Sequence, residues 1–138
     1  MKVSIIIPVR NEEPLIEKIV DQLESKLKVL SYEVIFINDF STDNTTKVIE
    51  KIIKNKVQIN FYDNNRKGLG GAISRGINKA TGEAVCIMMS DLSDNIEDLE
   101  KYYNIIKDEK VDAVFGSRFI KGSKVTDYPK KKLILNRI

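Results

Sequence analysis

Val3-Ser4-Ile5-Ile6-Ile7 runs without a break into Pro8-Val9-Arg10-Asn11-Glu12. The apolar run has the length and the β-branched content of a buried strand, and polar residues begin where such a strand would end. The same grammar returns three times. Val34-Ile35-Phe36-Ile37 passes into Asn38-Asp39-Phe40-Ser41-Thr42-Asp43, and Ala84-Val85-Cys86-Ile87-Met88-Met89 into Ser90-Asp91-Leu92-Ser93-Asp94. Ala113-Val114-Phe115 passes into Gly116-Ser117-Arg118. In an open parallel sheet, ligands bind in the crevice outside the carboxyl ends of the strands. As parallel neighbours, these strands would bring Glu12, Asp39, Asp91 and Arg118 to one crevice.

Helical patterns separate the runs. Leu15, Ile16, Ile19, Val20, Leu23, Leu27 and Leu30 form one apolar stripe, which predicts a helix over residues 13–30 with Pro14 in its first turn. A second helix is predicted from Ser41 to Asp43 onward, burying Val48, Ile49, Ile52 and Ile53. Residues 57–62 read as a short strand, with Asp63-Asn64-Asn65 as the turn after it. A third helix opens at Gly68-Leu69-Gly70-Gly71 and stops at Gly82, and a fourth begins after Asp94-Asn95. Strands and helices thus alternate through nine elements, β-α-β-α-β-α-β-α-β, the pattern of an α/β domain with a mostly parallel sheet.

The 138 residues match one domain, with 42% apolar and 31% charged residues typical of a globular chain. The lone cysteine, Cys86, reads as a small core hydrophobe; with no intrachain disulfide to form, a reducing, cytoplasmic setting is expected. No secretory leader is expected, since Met1-Lys2-Val3 enters a strand-like run at once, and no apolar stretch nears the roughly 20 residues of a membrane helix. There is no histidine, which excludes imidazole acid–base and metal chemistry from this chain. Residues 119–138 carry six cations against Asp127, a local +5 that leaves −2 of the net +3 elsewhere. Such a tail reads either as a membrane- or phosphate-seeking segment or as a solvated end. Residues 1–118 are therefore taken as one domain and 119–138 as a basic segment of another kind.

Several residues could carry chemistry. The glycine cluster at a helix start, preceded by Arg66 and Lys67, reads as an anion cradle or as a tight turn. It lacks the Walker spacing, and it follows the third strand rather than the first. Asp91 and Asp94 suit a hard divalent cation, with Asp94 expected to cap the next helix and Asp91 to ligate. Asp43 or Ser41 can cap the second helix, which leaves Asp39 without a local structural partner and so a ligand contact. Arg118 suits bidentate phosphate binding or an ion pair with a nearby aspartate.

These residues together resemble a family. Ser4 to Glu13 looks like the opening of family 2 glycosyltransferases, and Asn38 to Thr45 resembles their Asp-Asp-Gly-Ser-Thr-Asp-x-Thr segment. Lys67-Gly68-Leu69-Gly70-Gly71-Ala72, Ala80-Thr81-Gly82, Ser90 to Asp94 and Gly116-Ser117-Arg118-Phe119 are similar to the dolichol-phosphate mannosyltransferase branch. The resemblance implies a GT-A, Rossmann-like α/β/α fold and a donor-binding portion of a longer, membrane-associated enzyme at the inner membrane face. It implies that Pro8, Arg10, Glu12 and Asp39 hold base and ribose, with Lys67, Gly68, Gly70 and Ser90 on the same nucleotide sugar. It implies that Asp91, with Ser93, binds Mg2+ or Mn2+, and that Arg118 and Arg137 grip the phosphate of a lipid acceptor. Asp91 and Arg118 would then be catalytic.

The chain departs from the family at four positions. Arg10 replaces an aromatic, Asn38 replaces the first acid of Asp-Asp, and Phe40 stands where glycine is common. Met89 replaces the first acid of Asp-x-Asp, and a thioether is a poor ligand for a hard cation. The implied activity is sugar transfer with inversion from a GDP- or UDP-sugar to a polyprenyl phosphate, an acceptor already ionised and needing no general base. Two other readings stand beside it: a degenerate, non-catalytic nucleotide-sugar module, and an α/β interaction domain with acidic strand ends.

Overall fold

The computed structural model describes residues 1–109 and 111–117. Met1–Tyr103 form one compact unit, and residues from Asn104 belong to a second. Within the first unit β1 (Val3–Val9), β2 (Tyr32–Asn38), β3 (Ile59–Asp63) and β4 (Ala84–Ile87) make a four-stranded sheet in the order β3-β2-β1-β4. Every pairing is parallel, with Ile5 opposite both Val34 and Cys86.

All seven residues of β1 are buried, because helices cover both of its faces. Val3, Ile5, Ile7 and Val9 join Val34 and Phe36 beneath α1 (Ile16–Lys26), α2 (Thr45–Ile53) and the first turns of α4 (Ile96–Glu109). Ile6, Ile35 and Ile37 point the other way, onto Ala72 of α3 (Leu69–Ile77). Each such side chain contributes about 1.5–3 kcal/mol, so the central strands dominate stability. Cys86 packs at the edge of the larger cluster, and burial, helped by Asp94, pushes its thiol up to about 11.

Several boundaries differ from the sequence expectations. The first helix opens as a 3-10 turn at Glu13–Leu15, holding Pro14, and ends at Lys26, where the Leu27 N–H closes on the Leu23 carbonyl. The last members of the stripe, Leu27 and Leu30, lie past the helix in the turn that feeds β2, still packed on the core. The third strand begins at Ile59 because Val57 faces solvent, and α3 ends at Ile77, so Gly82 is not its terminator. Gly82 instead lies against the Lys2 carbonyl and Ser4, too close to admit a Cβ.

The predicted fifth strand is absent among the described residues. Ala113–Phe115 joins no ladder, and Phe115 is 89% exposed. Three apolar residues bury too little to hold a strand without a partner.

Candidate functional site

Because the four strands are parallel, their carboxyl ends share one edge. The chain winds outward from β1 to β2 and β3, then crosses back to place β4 on the far side of β1. The order therefore reverses between β1 and β4, where a doubly wound sheet opens a crevice. Pro8 helps to open it. The β1–β4 ladder stops at Ile6 and Ile87, two residues before a proline that has no N–H for another rung.

Beyond that point the two strand tips meet again through side chains. The buried Ser90 hydroxyl donates to Glu12 Oε1 at 3.2 Å. Asp91 follows, exposed at the rim, with Oδ1 accepting the Ser93 N–H at 2.9 Å. Leu92 between them has φ 57°, the left-handed bend that turns the loop back. Asp94 accepts the Met89 N–H at 3.3 Å, while Asn95 Oδ1 accepts the Glu97 N–H at 3.2 Å. Asn95, not Asp94, therefore supplies the cap of α4.

The loops after β1 and β2 are stitched to one another. Asn11 has φ 56°; its N–H donates to Ser41 Oγ at 3.1 Å, and its Oδ1 accepts the Thr42 N–H at 2.7 Å. Glu12 N–H reaches Thr45 Oγ1 at 2.8 Å, and Glu13 receives the Asn44 N–H at 3.1 Å. Asp43 accepts both the N–H and the hydroxyl of Thr45, and that hydroxyl chiefly holds its carboxyl below the usual range. These bonds use residues 41–44 outside the helix, so α2 starts at Thr45. Much of the Ser41-Thr42-Asp43-Asn44-Thr45 motif is thus a clamp on the loop that presents Glu12.

Asp39 is not the unpartnered carboxylate that the sequence suggested. It is 6% exposed, and its two oxygens take the Gly68 N–H at 2.9 and 3.0 Å, while Asn64 Nδ2 donates to Oδ1 at 2.8 Å. Gly68 has φ 108°, which only glycine adopts without strain. The first N–H of the supposed anion cradle is therefore taken by the protein's own carboxylate, which also faces the positive end of α3. Asn64, also 5% exposed, was read only as a turn residue. Its amide bridges Asp39 and the Arg66 carbonyl while its Oδ1 accepts the Arg66 N–H. The signal available was an asparagine directly after a strand end, the residue type that bonds backbone two positions on.

Asn38 also has a partner that explains its presence. Its Nδ2 donates to Asp63 Oδ1 at 2.9 Å and its Oδ1 accepts the Ser41 N–H at 2.9 Å. An aspartate here could accept but not donate. Arg10 and Lys67 stand exposed at the same edge, and Gly70 faces open space. Arg118 and Arg137 lie outside the described residues.

Among the described residues no three acidic or cysteine side chains gather closely enough to hold a metal by themselves. Asp91 and Ser93 nevertheless offer hard oxygens within one bend, a set that suits Mg2+ or Mn2+ when phosphate oxygens and water complete the shell.

The model of the family described as glycosyl transferase family 2 matches residues 4–138. Over 138 residues the chain is 33% identical to the dolichol-phosphate mannosyltransferase of Pyrococcus furiosus, covering 99% of this chain and 39% of that protein. It is 33% identical over 104 residues to the undecaprenyl-phosphate 4-deoxy-4-formamido-L-arabinose transferase of Proteus mirabilis, covering 72% of this chain and 32% of that protein. The solved mannosyltransferase PcManGT of Pyrobaculum calidifontis, in complex with GDP-Man and Mn2+, superposes with a TM-score of 0.66 at 26% identity. That match covers 79% of this chain and 33% of the other. The chain thus spans 32–39% of the length of these two relatives. Its layers are those of GT-A glycosyltransferases. On the motifs, the strand order and these matches, the chain belongs to glycosyl transferase family 2.

Proposed function

We propose that this chain is the donor-binding part of an enzyme that moves a sugar from a GDP- or UDP-linked donor to a polyprenyl-phosphate-type acceptor, with inversion. The observation that carries this reading is the split at the reversal point. There β1 and β4 part after Ile6 and Ile87, and Ser90 and Glu12 rejoin them over a polar floor. The relatives named for dolichol-phosphate and undecaprenyl-phosphate support the acceptor class, and the neighbour holding GDP-Man supports the donor class.

Pro8, Arg10 and Glu12 would line the nucleoside side of the crevice, the Arg10 guanidinium stacking on the base. Asp39 would reach the same nucleoside with the acceptor capacity left on its carboxylate. Lys67, Gly68, Gly70 and Ser90 would border the sugar diphosphate. Asp91 and Ser93 would hold Mg2+ or Mn2+, which supplies Lewis-acid neutralisation of the departing diphosphate. The acceptor phosphate oxygen bonds to the anomeric carbon as the bond to the nucleotide diphosphate breaks, and the diphosphate leaves with the electron pair. Arg118 and Arg137 would grip the acceptor phosphate. Residues 1–118 would thus bind the donor, and the basic residues 119–138 would open the acceptor side, near an anionic cytoplasmic membrane face. No helix among the described residues is long and apolar enough to cross a membrane.

A thermal-shift panel of nucleotide-diphosphate sugars with and without Mn2+ tests this reading. A matching donor at about 100 times its Kd should stabilise the chain by about 2.7 kcal/mol. No shift from any GDP- or UDP-sugar would overturn it. Met89 favours a second reading, a degenerate module that binds the nucleotide sugar without turnover.

A further inference from the structure

A polar cavity lies beside the glycine segment, along the first turns of α3. It measures about 440 Å³ and is lined by Asn65, Arg66, Gly71, Ser74, Arg75 and Asn78. No carboxylate lines it. Arg66 and Arg75 form no ion pair among the described residues. Arg75 Nε is buried and has no hydrogen-bond partner there. A guanidinium nitrogen buried without a partner is costly.

The backbone builds this pairing. The Asn64 amide holds the Arg66 carbonyl at 2.6 Å, and that carbonyl sits so close to Gly71 that a Cβ there would lie 1.9 Å from it. Arg75 is four residues after Gly71, one turn along the same face of α3. The 64–66 turn is thus seated against α3, and two guanidinium-bearing residues line one concavity with amides and a hydroxyl between them.

The geometry points to a phosphate-binding site in this cavity, separate from the nucleotide-sugar crevice. Paired guanidiniums suit tetrahedral oxyanions, which accept bidentate bonds. Carboxamides and a hydroxyl can donate to the remaining oxygens. The phosphate can come from solution or from a lipid headgroup.

The test measures thermal midpoints of the chain against inorganic phosphate and pyrophosphate at constant ionic strength. A parallel arm measures co-sedimentation with phosphatidylcholine vesicles, with or without phosphatidylglycerol. Wild-type protein should respond in at least one arm, and Arg66→Gln and Arg75→Gln should each weaken that response about tenfold. Lys51→Gln, an exposed cation elsewhere, should leave it unchanged. Ser74→Glu supplies an internal carboxylate and should raise the phosphate-free midpoint while abolishing the response. Response to soluble phosphate identifies a free ligand, and response to phosphatidylglycerol alone identifies a headgroup. No response in either arm, or equal loss in Lys51→Gln and Arg75→Gln, overturns the site. Loss of nucleotide-sugar binding in Arg75→Gln would merge the cavity with the donor crevice and overturn its separateness, whereas a failed donor panel leaves this result intact.

Discussion

The Asp39 carboxylate receives the Gly68 N–H on both oxygens, at 2.9 and 3.0 Å, so the tip of β2 is tied to the start of α3. Asn64 completes the knot from the end of β3. A residue at the edge where a donor would bind thereby also sets the backbone around it. Asp39→Ala strands two donors, the Gly68 N–H and the Asn64 amide. It should lower stability by about 3 kcal/mol in urea titrations. A loss below about 0.5 kcal/mol would show that the knot does not hold the loop.

Asn38 bridges Asp63 and the Ser41 N–H, a job that needs both a donor and an acceptor. Asn38→Asp restores the family's acid but sets one carboxylate against another. Stability at neutral pH should fall by about 1–2 kcal/mol, and the deficit should shrink as pH drops through the carboxylate range. Denaturation midpoints at two pH values check both the size and the sign.

Glu33 lies at the opposite, amino-terminal edge of the sheet. Burial raises its pKa, but bonds from the Ser4 hydroxyl and from the N–H and hydroxyl of Thr81, with Lys2 nearby, outweigh it and bring the value to about 2. A depressed carboxylate stabilises the fold above its unfolded pKa of 4.5, and the benefit is lost as pH falls toward 2. The contribution at neutral pH is on the order of 3 kcal/mol. Glu33→Gln should therefore cost stability at pH 7 and converge with wild type near the folded value, followed by pH-dependent denaturation.

Met89→Asp adds a hard ligand two residues before Asp91. With Mn2+ present, donor affinity should tighten about tenfold; without metal, the added charge near Asp91 and Asp94 should leave it unchanged or weaker. Calorimetric titration of the nucleotide sugar with and without Mn2+ decides between a weakened metal site and a degenerate one.

Phe40 is held at φ 59°, where a side chain of its size is strained. Phe40→Asn keeps the bend with a residue that tolerates it and should gain about 1 kcal/mol of stability. An unchanged or lower melting temperature would show that the ring's own contacts outweigh the strain.

The β1, β2 and β4 strands and their parallel sense were legible in the sequence, because unbroken β-branched runs separated by amphipathic stretches admit few other arrangements. The ends of elements were not: Leu30, Val57 and Gly82 fit the periodicities yet fall in turns, since chain reversal depends on contacts periodicity does not encode. The false fifth strand at Ala113–Phe115 has the same origin, an apolar run too short to bring its own partner. At the site, composition singled out Glu12, Asp39 and Asp91 as strand-tip acids. It could not show that Asp39 is spent on Gly68, or that Ser41 to Thr45 clamp Asn11, Glu12 and Glu13.

Sequence by itself determined the layers and the edge where polar groups collect, because alternation and helical spacing are properties of neighbours along the chain. Only the tertiary structure decided which acids are bonded within the protein and which face outward. Hydrogen-bond partners such as Asp39 and Gly68 lie 29 residues apart, and nothing local announces the pairing.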